Sequence, residues 1–239
     1  MSEDEIYRNY TSTSMLVNID EDGMTKLCKA WFKTMLTRYL PIDKKATILD
    51  LGCGYGRYVM ALNEMDYVNT QGIDISESQV CYARDKMRLS NIKKADALEF
   101  LKGKINEYDC ILAFDILEHL AEDKLLDLAG LIFCSLKPGG TLIVRVPCAI
   151  SPFVPNRHWD LTHKRAFTTH SMEQLLLNSG FRAMTHHETL PHLHGVASVV
   201  RRIAWAVFFR PFIKIFLLFM HGQTFGGIYT LDMLTVAKK

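Results

Sequence analysis

The sequence predicts one doubly wound α/β domain: a seven-stranded, mostly parallel sheet with helices on both faces and an apolar helical insertion before the last strand. Three observations predict it. An apolar strand ends in Asp50 and runs into three glycines at spacing two, Gly52-Cys53-Gly54-Tyr55-Gly56, after which a helical pattern begins. Short apolar runs then alternate with amphipathic helical ones, the order of successive β-α-β units. The next two strands each end in a carboxylate, Asp74 and Asp96. Acidic groups therefore gather along the carboxyl edge of the sheet, where open α/β folds bind their ligands.

The elements follow in order. Met24 to Leu40 reads as an amphipathic helix stopped by Pro41, which cannot continue the hydrogen-bond ladder. The Asp50 strand leads to a helix over Gly56 to Met65, then to a strand over Tyr67 to Asp74. Ser76 is placed to cap a helix over Glu77 to Leu89, because its hydroxyl can accept an early backbone N–H. Asn91 to Ala97 is a third strand ending in Asp96, and Tyr108 to Phe114 a fourth. A helix over Lys124 to Leu136 precedes a turn, Leu136-Lys137-Pro138-Gly139-Gly140, and the strand Thr141 to Val146. A helix over Ser171 to Ser179 closes on Gly180, and Phe181 to Leu190 and Gly227 to Lys238 supply the last two strands. Residues 1–45 form a helical cap, 46–147 a cofactor half and 148–239 an acceptor half with insertions at 148–166 and 190–222, all in one domain.

Composition narrows the function. A chain of 239 residues can bury a substantial core, and 49% hydrophobic with 23% charged residues is the balance of a globular protein. A net charge of +2 gives no basis for a nucleic-acid partner. Six scattered cysteines without a C-x-x-C motif, and an acidic start without an apolar leader, point to free thiols and the cytoplasm.

The glycine spacing says what kind of ligand the first turn takes. G-x-G-x-G is not the G-x-G-x-x-G of a pyrophosphate-binding turn, which disfavours a nicotinamide-dependent reductase. A ligand with a cationic amino acid part and no phosphate would favour an acid such as Asp50 at the mouth of the turn, and S-adenosylmethionine is such a ligand. Asp74 then stands 22 residues beyond Gly52, placed to accept from ribose hydroxyls, and Asp96 could accept from an adenine amine.

These motifs, ILDLGCGYGR, GID, KADA, FDILEHL and LKPGGTLIVRVP, stand in order over residues 45–147. In them the chain resembles the class I S-adenosylmethionine-dependent methyltransferases, whose sheet is Rossmann-like. The resemblance implies a cofactor site of Asp50, Gly52, Cys53, Gly54, Gly56, Asp74, Ile75, Asp96, Ala97 and Phe114. The C-terminal part, with Asp160 to Arg165 and Leu175 to Phe181, is similar to members acting on small molecules, quinones and cell-surface saccharides. That implies a small-molecule or glycan acceptor methylated at a hydroxyl oxygen. The alternatives are a quinone or lipid acceptor, with or without a divalent metal, and a silent scaffold subunit.

Methyl transfer to a hydroxyl benefits from a base, and histidine suits that role near neutral pH. His119, just past strand four, and His163, in the first insertion, are the two candidates. Asp115, Glu118 and His119 also resemble divalent-metal sites of some RNA and quinone methyltransferases, with a fourth ligand to come from His158–His163; no metal ligand is assigned. His186, His187, His192 and His194 read as pocket or surface histidines, the first two on opposite faces of a strand. Arg157, His158 and Trp159 suit contact with an acceptor ring.

Val196 to Met220 is apolar and aromatic, yet carries Arg201, Arg202, Arg210 and Lys214 and is interrupted by Pro211. Those charges argue against a spanning helix. Two short helices joined near Pro211 are expected instead, as a lid, a homodimer contact, or a contact with the inner membrane surface.

Overall fold

The computed structural model describes residues 21–152, 154, 157–158, 160–190, 193 and 195–239. Helix α1 (Glu21–Leu36) precedes β1 (Thr47–Leu51), α2 (Arg57–Glu64), β2 (Asn69–Asp74), α3 (Glu77–Asp85), β3 (Ile92–Lys94), α4 (Ala97–Leu101) and β4 (Tyr108–Phe114). A 3₁₀ turn (Leu117–His119) leads to α5 (Glu122–Ser135), β5 (Leu136–Pro147), α6 (Thr169–Asn178) and β6 (Ala183–Glu188). Then come α7 (Gly195–Ala204), a π-helical segment (Trp205–Phe209), α8 (Arg210–His221) and β7 (Asp232–Lys238).

Among the described residues the strands form one seven-stranded sheet in the order β3-β2-β1-β4-β5-β7-β6, with β7 antiparallel to both neighbours. The chain order reverses between β1 and β4, which opens the ligand crevice at the carboxyl ends of these two strands. Side chains alternate across the sheet. Leu49, Leu51, Ile111 and Ala113 pack under Leu128 and Ile132 of α5, whereas Ile48, Cys110, Leu112 and Phe114 pack under Phe32 of α1 and Leu62 of α2. Apolar residues at both parities explain why the strands read as continuous hydrophobic runs.

Several boundaries differ from expectation for local reasons. The third strand is only Ile92–Lys94, because Asp96 leaves the ladder to accept the amides of Leu98 and Glu99 and so caps α4. Ser76 holds the N-cap position of α3 without a side-chain cap; its own amide donates to Asp74 Oδ1 at 2.8 Å. The expected Leu136–Gly140 turn lies inside β5, where the register against β4 jumps from Tyr108↔Leu136 to Cys110↔Thr141. Gly180 does close α6, at φ 109°.

The second insertion departs furthest. It is not two short helices but one continuous helix, Gly195–His221. In an α-helix Pro211 would oppose the carbonyl of Val207. Val207 lies inside the π segment, whose wider turn lets the helix pass the proline unbroken.

Gly56 shows how tightly the first turn is built. It sits at φ +83°, and a Cβ there would stand 2.3 Å from Ile92 Cδ1 and 2.6 Å from Leu89 Cδ1. Gly56→Ala should therefore cost about 2–5 kcal/mol, from left-handed strain plus overpacking, read as a lower urea midpoint with unchanged slope. A loss below about 0.5 kcal/mol would show that the turn can relax.

Candidate cofactor and acceptor site

The turn after β1 and the loop after β4 meet over the reversal point. Gly52, at φ +69°, lies so close that a Cβ would meet the Ile116 side chain at 3.2 Å. Gly54 donates its amide to Asp74 Oδ2 at 2.8 Å, which ties the glycine turn to the tip of β2. Burial raises the Asp74 carboxyl, opposed by the amides of Ser76 and Gly54. Ile75 beside it is an exposed apolar residue, open to the flat face of a ligand.

Asp50 is the most unusual group here. It is 1% exposed, and neither carboxylate oxygen has a hydrogen-bond partner. Burial pushes its carboxyl up to about 8, with Arg57 pulling the other way. An orphaned acid under a glycine turn fits a ligand that brings its own cation, since a buried charge is tolerated only when paired. The residues present thus fit S-adenosylmethionine, whose amino acid end is cationic.

The other residues implied at this site contribute differently. Asp96 caps α4 through Oδ1, and Ala97 is its first residue. The Cys53 side chain turns into the core beside Val59 and Gly72. Phe114 is buried against Tyr58, with ring centres 5.0 Å apart, so backbone is what it offers a ligand.

Beyond β4 lies an ionic cluster of which the sequence suggested only the acids. Asp115 adopts φ 54°, a left-handed conformation that Asp tolerates better than most residues. Its carboxylate accepts from Arg145 Nε at 2.9 Å and also from Nη2, and Arg57 Nη2 stands 3.6 Å away. Burial works against its charge, yet the Arg145 guanidinium holds the carboxyl below its usual range. Arg145 Nη1 donates to Tyr58 Oη at 2.8 Å. The signal for this missed residue was an arginine inside the apolar strand LIVRVP.

Asp115 is therefore committed to arginine and not to the metal-like set in which it was placed. Glu118, His119 and His163 do converge, with ligand atoms within 4.8 Å of one another. Glu118 is fully buried with both oxygens unpartnered, 4.0 Å from His163 Nε2, and burial followed by Asp115 raises its carboxyl well above the usual range. The rings of His119 and His163 meet edge to face at 4.7 Å. Thr162 donates its hydroxyl to Asp160 Oδ1 at 2.6 Å and lies 2.8 Å from His119 Nδ1. With its one proton spent on Asp160, the hydroxyl can only accept from His119, which places the imidazole proton on Nδ1 and leaves Nε2 as a lone pair. Burial, and then His163, lower His119 to about 4.

Next to this cluster is a cavity of about 710 Å³ lined by Trp31, Tyr58, Trp205, Tyr229 and Asp232 and by four arginines, Arg57, Arg145, Arg201 and Arg202. His119 and His163 do not line it. Arg145 and Asp232 of its lining are among the charges that act on Glu118.

The remaining candidates lie elsewhere. Arg157 donates to the His163 carbonyl at 2.6 Å and His158 is exposed, while Trp159, His192 and His194 fall outside the described residues. His186 bridges Thr235 and Glu173, and His187 lies against Tyr39. Cys53, Cys81, Cys110, Cys134 and Cys148 are free thiols.

Comparison with known proteins bears on the family and the fold. A family model described as a methyltransferase domain matches residues 23–186, more than half of the chain. The chain is 28% identical over 123 residues to a phosphoethanolamine N-methyltransferase of Plasmodium falciparum, covering 51% of this chain and 45% of that protein. It is 29% identical over 131 residues to a ubiquinone biosynthesis O-methyltransferase of Methylocella silvestris, covering 47% and 49%. The chain thus spans about half the length of these relatives. Among solved structures it is similar to a SAM-dependent methyltransferase from Archaeoglobus fulgidus, at TM-score 0.66 and 22% identity with both chains fully covered. It is also similar to Haemonchus contortus phosphoethanolamine N-methyltransferase 2 in complex with S-adenosyl-L-methionine, at TM-score 0.62 and 16% identity, covering 98% and 60%. At these identities the structures speak to the fold.

Proposed function

Since this chain belongs to the methyltransferase-domain family of S-adenosylmethionine-dependent enzymes, we propose that it methylates a hydroxyl oxygen of a small-molecule or saccharide acceptor that carries an anionic group. The observation that carries the oxygen is the Asp160–Thr162–His119 chain, which leaves His119 Nε2 as a neutral proton acceptor. The cavity supports the rest: aromatic walls suit a ring, and a lining with four arginines, two of them shared with Asp115, suits an anion.

S-adenosylmethionine, when bound, supplies the electrophilic methyl. Gly52, Gly54 and Asp74 would hold its nucleoside end, and Asp50 would balance its cation. In-line displacement depends mainly on alignment, which the cavity walls provide by restricting the acceptor. A hydroxyl that reaches from the cavity to His119 would give its proton to Nε2 as the methyl carbon passes from sulfur to oxygen, leaving S-adenosylhomocysteine. The imidazolium so produced is stabilised by its Thr162–Asp160 partners and by the Asp115 carboxylate.

The test is turnover of His119→Gln and His163→Ala with sugar phosphates and phenolic acids as acceptors. His119→Gln should lower kcat by about 100-fold, the usual contribution of a general base, with the affinity for S-adenosylhomocysteine unchanged. Wild-type turnover should persist well below the ordinary histidine value and fall only as pH approaches 4, where His119 gains its proton. Full activity of both variants would remove the base assignment. A second reading, a quinone or lipid acceptor handled with a divalent metal, is favoured by the Glu118–His119–His163 convergence. EDTA that stops turnover without weakening S-adenosylhomocysteine binding would select it.

A further inference from the structure

The Gly195–His221 helix is built the wrong way round for an ordinary surface helix. Val196, Val199, Val200, Ile203 and Val207, then Phe208, Phe212, Ile215 and Phe219, recur at three- and four-residue spacing, and all are exposed, Phe212 at 68% and Phe219 at 88%. Such spacing makes one continuous stripe, which normally faces a core. Here part of the polar edge faces the protein, while Arg201, Arg210 and Lys214 stay exposed. Ser198 is buried, and Arg202 and Trp205 line the cavity. Trp205 Nε1 donates to Glu188 Oε2 at 3.3 Å, while Arg210 donates to Glu188 Oε1 at 3.2 Å and to the Gly227 carbonyl at 3.3 Å.

These bonds decide how such a helix can meet a membrane. By length and hydropathy it could cross one: 27 residues, with a window averaging 1.9. A spanning helix would carry its midpoint into the hydrocarbon. Its midpoint is Phe208, two residues before Arg210, which is held to Glu188 at the end of β6 and to the chain leading into β7. The helix is therefore tied to the domain from Ser198 to Arg210, with its apolar stripe outward along a length of about 40 Å.

We propose that this helix docks the protein flat on an anionic lipid bilayer, with the Val196–Phe219 stripe immersed at the level of the acyl boundary. Charge selects the occupant. Residues 195–221 contain Arg201, Arg202, Arg210 and Lys214 and no Asp or Glu. Cations beside bulky apolar residues are the composition of an interfacial helix attracted to acidic headgroups. A second copy packed across a two-fold axis would bring the same cations against these. Docking also sets the cavity wall formed by Ser198, Arg201, Arg202 and Trp205 beside the lipid, so an amphiphilic acceptor could enter from the bilayer. The docking itself does not rest on the acceptor reading.

Co-sedimentation of the full chain with vesicles of phosphatidylcholine, alone or mixed with phosphatidylglycerol, tests this. Binding is expected only with phosphatidylglycerol present and should weaken with added salt. Phe212→Glu/Phe219→Glu and, separately, Lys214→Glu should each lower the bound fraction, the double variant by at least about tenfold. Unchanged circular dichroism and S-adenosylhomocysteine affinity would show that both remain folded, and a lost affinity in the wild type would concern the cofactor site alone. No binding to either vesicle overturns the proposal. So does a wild-type dimer in light scattering that ignores vesicles and becomes monomeric in the double variant, because the stripe would then belong to a second copy.

Discussion

Asp50→Asn is expected to weaken S-adenosylhomocysteine binding by at least about 100-fold while stabilising the ligand-free protein at alkaline pH. Both effects come from the same buried acid. Asp50 has no hydrogen-bond partner, and burial holds its carboxyl up at about 8, so near pH 7 the ligand-free protein carries it largely protonated. A cationic ligand needs the carboxylate, so binding should release a proton near neutrality and tighten from pH 6 to 9. Calorimetry in buffers of different ionisation enthalpy reads that proton directly. The stability effect has the opposite sign. With a folded value above the unfolded one, the folded state holds a proton that the unfolded state has lost between about pH 4 and 8. Wild-type stability then falls as pH rises through that window, by roughly 1.4 kcal/mol per unit at most. Asparagine removes that slope, so urea midpoints of variant and wild type should converge near pH 4 and separate by pH 9. Unchanged ligand affinity would mean that Asp50 serves something other than the cofactor's cation.

The parts legible in the sequence were those in which one short segment carries its own reason. Gly52, Gly54 and Gly56 adopt positive φ because the strand must turn at once into α2. Asp74 and Asp96 sit at strand tips because apolar runs end there, although Asp96 spends one oxygen on capping α4. What could not be read were pairings between distant segments. Arg145 and Asp115 are 30 positions apart, and only the register of β4 on β5 brings them together. The Asp160–Thr162–His119 chain similarly needs the first insertion to fold back onto the loop after β4, which the Lys164 amide does by donating to the Glu118 carbonyl at 2.8 Å. Pro211 misled for a different reason. Its ordinary meaning is a helix break, and a π turn has no signature in composition that would cancel it.

Arg145→Met should destabilise the protein by about 2–3 kcal/mol at pH 7–8, and the loss should shrink as pH falls below about 4. Arg145 keeps 12% of its side chain exposed and gives Asp115 two of its donors, so methionine fills much of the volume and supplies no charge. Asp115 would be left beside Glu118, with Arg57 at 3.6 Å as its nearer remaining cation. The figure sits below the usual cost of stranding a buried ion because 37% of the Asp115 side chain is exposed and water there screens it. The pH dependence follows from the depressed carboxyl. Asp115 contributes stability above its unfolded value near 4 and loses it as pH falls through the lower folded value, so the wild type has most to lose at neutral pH. Acid titration should erase the difference between wild type and variant. Adding Asp115→Asn to Arg145→Met should recover most of the loss, since it removes the stranded charge and leaves only the missing contacts with Tyr58 and the Trp31 ring. If the single variant instead lost less than about 0.5 kcal/mol at every pH, Arg57 alone would be balancing Asp115. Arg145 would then belong to the acceptor cavity rather than to the fold, and its loss should appear as a raised KM for anionic acceptors.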